Sequence, residues 1–185
     1  MFQCQDTTVS RSEELLEKAY VYVLEHGLGD MSLRPLAEAI GSSPRVLLFL
    51  FGSKDELVRA LLDRARADEL ALLAALGDDP TDLATACRTT WRWLADPRHR
   101  RLLVLWVEAY GRSLVDPDGP WSGFARATVE DWLRILGRAR DADRADCTLA
   151  LAVLRGALLD LLATGDRRRA TAAVERFIAD RLAPA

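Results

Sequence analysis

With two histidines and three cysteines in 185 residues, this sequence offers little to metal or nucleophilic chemistry. His26 and His99 stand too far apart to form a helical ligand pair, and His26 falls where a helix ends, a place histidine commonly takes beside the C-terminal dipole. No nucleophile elbow, phosphate-cradling glycine loop or HExxH run occurs. Cys4, Cys87 and Cys147 are odd in number and widely spaced, so neither a disulfide framework nor a CxxC metal site is indicated. The acid pair Asp78-Asp79 sits in a turn-forming stretch, which explains it without catalysis. An enzyme is therefore not expected, and no cofactor or metal is called for. Apolar runs such as Leu102 to Val107 are far too short to span a bilayer, and the N-terminus lacks the basic and apolar regions of a signal peptide; the expectation is a cytoplasmic protein. Also missing are strand-like alternation, internal repeats, and any low-complexity segment beyond Arg167-Arg168-Arg169.

What the chain does have is helix-forming residues. Half of it is hydrophobic and 29% charged, with a net charge of -3. Alanine, leucine and arginine dominate, and the length allows one large or two small domains. Apolar spacing and capping residues predict an all-α fold of about nine helices. After a loose tail over 1–9, the first helix runs from Ser10 to His26, and Gly27 and Gly29 end it. Two short helices follow, then a long one from Ser53 to about Leu76, and Gly77-Asp78-Asp79-Pro80 marks a boundary. The fifth helix starts at Thr81 or Asp82 and runs to Ala95. The sixth runs from Asp96-Pro97 to about Leu114, the seventh from Trp121 to Arg138, the eighth from Asp143 to Thr164 and the ninth from Asp166 to Leu182. The implied division is 1–52, a connecting helix over 53–76, and a second helical domain over 77–185.

The stretch from Ser32 to Leu57 organises the rest. Leu36, Ala37 and Ile40 form one apolar stripe; Gly41 ends that helix where a left-handed residue is wanted. Ser43 caps the next, with Pro44 at its first position. Counted from Leu33, apolar residues stand at places four, eight, fifteen and eighteen, alanine at five and glycine at nine, which is the helix-turn-helix pattern. The alanine lets two helices cross closely, and the glycine makes the turn between them. Ser53-Lys54-Asp55-Glu56 then opens the long helix as a capping box.

These pieces, with LLEKAYVYVLEHG before them, resemble the DNA-binding domain of TetR-family transcriptional regulators over some fifty positions, and the nine-helix pattern extends the likeness along the chain. The resemblance implies a homodimeric repressor that binds a near-palindromic double-stranded DNA operator and releases it when a small ligand enters the C-terminal domain. Where the family's recognition helix resembles T-L-Y-H-Y-F, this chain has Val46 to Phe51, all apolar. Ser43, Pro44, Arg45, Leu48 and Phe49 would face the major groove, with Arg45 able to grip guanine and the apolar pair to pack on thymine methyls. Arg34, Lys54, the capped N-termini near them (Ser32 included) and Arg11 would hold phosphates. Acidic residues outnumber basic ones over 1–60, so modest, salt-sensitive affinity is expected. The alternative is a small-molecule-binding or protein-interaction module of the same fold that has lost specific DNA binding.

All five tryptophans lie between helices five and seven. Cys87, Trp91 and Leu94 form one helical set and Leu103, Trp106, Val107 and Tyr110 another; with Trp121, Phe124 and Trp132 they are candidates for lining a pocket for an apolar or aromatic effector. The same spacing also suits plain core. Glu108 and Arg112 read as a solvated pair. On the last two helices, Leu151, Leu154, Leu158, Leu161 and Leu162 with Ala173, Val174, Phe177 and Ile178 are the expected dimer surface, forming a four-helix bundle across a two-fold axis.

Overall fold

The computed structural model describes residues 10–28, 31–74, 82–140 and 142–182. The expected tail before Ser10, and with it Cys4, Gly29 and the break over 77–80, lie outside them. Among the described residues there are nine α-helices and no strand: α1 (Arg11–His26), α2 (Leu33–Ala39), α3 (Pro44–Phe51), α4 (Lys54–Ala74), α5 (Leu83–Leu94), α6 (Arg100–Val115), α7 (Phe124–Leu136), α8 (Arg144–Thr164) and α9 (Arg167–Arg181).

Most helix starts follow from a side-chain oxygen that takes an otherwise orphaned amide. Ser10 and Glu13 form a reciprocal capping box on α1. Ser43 accepts from the Val46 amide at 3.3 Å, Ser53 from Glu56 at 3.1 Å and Asp82 from Thr85 at 2.6 Å. Asp143 and Asp166 do the same for α8 and α9. Ser32 precedes α2 but makes no such bond.

Two starts differ from expectation. The helix predicted from Asp96-Pro97 is split: Asp96 caps Arg98 and pairs with its guanidinium, closing a short 3-10 turn over Pro97–His99, and α6 begins only at Arg100. The helix predicted from Trp121 begins at Phe124, because Gly123 takes φ 76 and leaves Trp121 buried in the preceding turn.

Leu15, Ala19, Val23, Leu36, Ala37, Leu47, Leu57 and Leu61 are fully or almost fully buried and hold α1 to α4 together. Gly41, at φ 68, turns the chain between α2 and α3. The α4 helix continues past this unit with Val58, Leu62, Ala65 and Glu69 on one buried stripe at i, i+4, i+7 and i+11. Its Arg66 pairs at 2.7 Å with Asp131 on α7, which is 4% exposed. A second link joins α1 to α6, where the Glu108 carboxylate accepts from the Leu28 amide at 3.0 Å. That link corrects the Glu108–Arg112 pairing expected from i, i+4 spacing: the carboxylate is spent on an open amide after α1, a partner no helical spacing reveals.

The α8–α9 pair turns at Gly165, φ 72. Here the sequence reading is corrected. Leu151, Leu154, Leu158, Val174 and Ile178, taken for dimer surface, are buried within the chain, and α8 packs on α5, α7 and α9. Leu161, Leu162 and Phe177 are half-buried against the same core, and Ala173 is exposed. The α8 helix is apolar on nearly every side, so its inner stripe passed for the outer one. By length and composition it could cross a membrane, but it carries Arg155 and Asp160, and one face of it is packed against α5, α7 and α9. Its outward residues are Leu149, Ala152, Gly156, Leu159 and Ala163.

Candidate DNA-reading face and ligand cavity

The α2–α3 unit presents one side to solvent. Arg34, Arg45, Val46, Leu48, Phe49 and Lys54 are all exposed, Phe49 by 85%. Leu47 between them is buried and anchors α3. Arg34, Arg45 and Lys54 form no ion pair with any described residue, so their charges stay available. Pro44 is half-buried at the first position of α3, and the half-buried Ser43 has its oxygen committed to the Val46 amide. Ser32 is exposed with its hydroxyl outside any cap. Arg11 is exposed and paired with Glu14 at 2.8 Å, so a phosphate would compete with that carboxylate for it.

Behind this unit lies a small cavity bounded by α4, α5, α6, α7 and α8. Its lining is Glu69, Leu94, Leu103, Trp106, Trp132, Leu151, Leu154, Arg155 and Leu158, and its volume is about 10 Å3 on the scale on which one water needs about 10–15 Å3. Four of the sequence candidates, Leu94, Leu103, Trp106 and Trp132, come together here. The others do not line it. Cys87 is buried under α8, its thiol pushed up to about 12, chiefly by burial. Trp91 donates its indole N–H to Thr171 at 3.0 Å, tying α5 to α9. Trp121 and Phe124 are buried around the start of α7, and Val107 is half-buried against the core. Tyr110 packs against Trp106 in a tilted arrangement, ring centres 5.2 Å apart.

Sequence reasoning missed the two charged residues of the lining. Glu69 is 5% exposed and accepts from the Trp132 indole at 3.0 Å. Burial pushes its carboxyl up to about 7, against the indole hydrogen bond that lowers it. Asp131 nearby acts with burial, and Arg66 and Arg155 against it. The Arg155 guanidinium lies 5.5 Å from the Trp106 ring centre and 5.0 Å from that of Tyr110, and burial lowers its pKa. It reaches the Tyr110 hydroxyl only at 3.4 Å. Its Nε and Nη2, and the Trp106 Nε1, are buried with no acceptor among the described residues. A signal for both was present: Glu69 continues the buried stripe of α4, and Arg155 interrupts the apolar run of α8. Among the described residues, no group of three or more histidine, cysteine or acidic side chains is placed to hold a metal.

No family model and no curated protein sequence matches the chain. Solved structures do. A TetR transcription regulator from Haloarcula marismortui superposes with a TM-score of 0.71 at 20% identity, over 92% of this chain and 97% of that one. The multidrug binding protein EbrR, solved with imidazole, gives 0.67 at 23% identity over 100% of both chains, and its proflavin complex gives 0.68 at 23% over 91% and 100%. This chain therefore has the TetR-regulator fold: an all-α chain with a helix-turn-helix at one end and a larger helical body at the other.

Proposed function

We propose that this protein is a ligand-responsive transcriptional repressor acting as a homodimer on a near-palindromic operator. The observation that carries the reading is the convergence of Arg34, Arg45 and Lys54, exposed and without ion-pair partners among the described residues, on the outward side of a helix-turn-helix. In this reading α3 enters the major groove, Arg45 takes a guanine edge, and Leu48 and Phe49 cover thymine methyls. Arg34 and Lys54 hold phosphates at the starts of α2 and α4.

The dimer surface is the outward stripe of α8. Leu149, Ala152, Gly156, Leu159 and Ala163 repeat at i, i+3, i+7, i+10 and i+14, which is heptad spacing and suits close pairing with the same helix of a second copy. The effector site is the cavity behind the helix-turn-helix, reached by α4 through Glu69. EbrR, which shares the fold, was solved with imidazole and with proflavin, and this supports small-molecule binding.

Fluorescence anisotropy on fragments upstream of its own and neighbouring reading frames tests the reading. Specific binding should weaken steeply with salt. Arg45→Ala should cost about 1–3 kcal/mol on the preferred site and little elsewhere, while Lys54→Ala weakens all DNA about equally. A second reading, a binding module of this fold without an operator, is favoured by the 85% exposure of Phe49 in an apolar recognition helix. Weak binding that is indifferent to sequence, and unchanged by Arg45→Ala, would select it.

A further inference from the structure

The cavity has an imbalance of hydrogen-bonding groups that points to the chemistry of its occupant. Three buried nitrogen donors on its lining, Nε and Nη2 of Arg155 and Nε1 of Trp106, have no acceptor among the described residues. Unsatisfied buried donors are costly, and more so on a charged group. One water accepts two hydrogen bonds at most, and the cavity has room for about one. On Arg155 the two orphaned atoms, Nε and Nη2, form one edge of the guanidinium, the edge that meets both oxygens of a carboxylate side-on.

The acid that lines the cavity, Glu69, acts on Arg155 through space and accepts no hydrogen bond from its Nε or Nη2. Glu69 accepts from Trp132 through one oxygen. Asp131 on α7 is held by Arg66 and Arg134. Arg155 is permanently cationic and lies within cation–π reach of both the Trp106 and Tyr110 rings, 5.5 Å and 5.0 Å from their centres.

We propose that this cavity takes a ligand with a carboxylate on a flat, mostly apolar body, the two oxygens seated on the Nε and Nη2 edge of Arg155 and beside the Trp106 indole N–H. This rests on the effector reading above for the cavity's role and adds the class of ligand. It also adds a charge to the apolar or aromatic effector expected from the sequence. Entry displaces the side chains that now close the cavity, driven by burial of the ring against Leu94, Leu103 and Trp132 and by the charge-assisted fork.

Glu69 makes the affinity pH-dependent. It faces Arg66 on its own helix, Asp131 and Trp132 from α7, and Arg155 from α8. With its carboxyl at about 7, acidification neutralises it, removes its claim on Arg155 and adds an O–H donor. Binding of an anion should therefore take up a proton near neutrality.

The test is calorimetry and tryptophan fluorescence on the full chain with two matched series: benzoate, benzamide and benzylamine, and naphthoate, naphthamide and naphthylmethylamine. The acid of at least one series should bind about tenfold or more tighter than its amide, with the amine weakest. The acid should bind about tenfold tighter at pH 6 than at pH 8, and Glu69→Gln should remove that dependence. Arg155→Met should abolish the acid's advantage; if that variant does not fold, the acid–amide comparison on the unaltered protein decides alone. Amides that equal their acids, amines that bind more tightly, or no binding by any member would overturn the proposal and leave the fork to a resident water. No DNA enters this test, so its failure leaves the repressor reading standing. Acid binding that later leaves operator affinity unchanged would sink ligand control and not the cavity's specificity.

Discussion

Glu69 shows how one side chain sets the behaviour of its surroundings. A carboxyl 5% exposed, with one indole donor, is held closer to its neutral form than in the unfolded chain, where the ordinary value of 4.5 applies. Its folded pKa is raised, so between 4.5 and about 7 the folded state binds more protons than the unfolded one, and stability falls as pH rises through that window. Above the window the linked cost is on the order of 3 kcal/mol. Glu69→Gln keeps an acceptor for Trp132 and removes the titration. Thermal unfolding from pH 5 to pH 8 should show the parent losing stability relative to the variant as pH rises. A constant difference between the two across that range would mean that Glu69 is not held near neutrality by burial.

At the scale of the helix, the close crossing of α2 on its neighbours depends on Ala37, which is completely buried. Ala37→Leu adds three carbons where there is no space and should cost about 1–3 kcal/mol in chemical denaturation. A neutral result would show that α2 and α3 are not closely packed. The sequence reveals this unit well because Ala37, Gly41 and Ser43 each have a local cause. The same holds for the starts of α1, α5, α8 and α9, where Ser10, Asp82, Asp143 and Asp166 cap the first turn. It fails where the deciding contact is not local. Nothing in periodicity separates the inner from the outer stripe of α8, which only its packing on α5, α7 and α9 decides; the late start of α6 has a local cause instead, Asp96 folding back on Arg98 two residues on, which competes with continuing the helix. The cavity was half legible for the same reason: Trp106 and Trp132 stand out by size, whereas Glu69 and Arg155 look like ordinary helix-surface charges until α4 and α8 are packed together.

At the scale of the molecule, the cavity and the helix-turn-helix unit share elements rather than a hinge. Glu69 on α4 lines the cavity, and the start of the same helix carries Lys54. Arg66–Asp131 and Glu108–Leu28 join the two ends of the chain on separate sides. In the proposed function a ligand in the cavity would act on α4 through Glu69, but in one copy alone it would alter little at an operator of two half-sites. Under the proposed repressor function, release would come from a change in the spacing of two recognition helices, which only a dimer defines. Leu149 and Leu159 on α8 are 40% and 49% exposed, on a stripe where Ala152 and Gly156 leave room for a second backbone. The double substitution Leu149→Glu and Leu159→Glu puts like charges face to face across a two-fold axis without touching the buried Leu151, Leu154 and Leu158. Light scattering should then report a particle of about 20.5 kDa in place of twice that mass, with helical circular dichroism unchanged. Affinity for a two-half-site operator should fall about a hundredfold or more while binding to a single half-site is kept, because the second contact is no longer intramolecular. A variant that stays dimeric would move the interface off this stripe, and a monomeric variant with full operator affinity would remove symmetry from the mechanism.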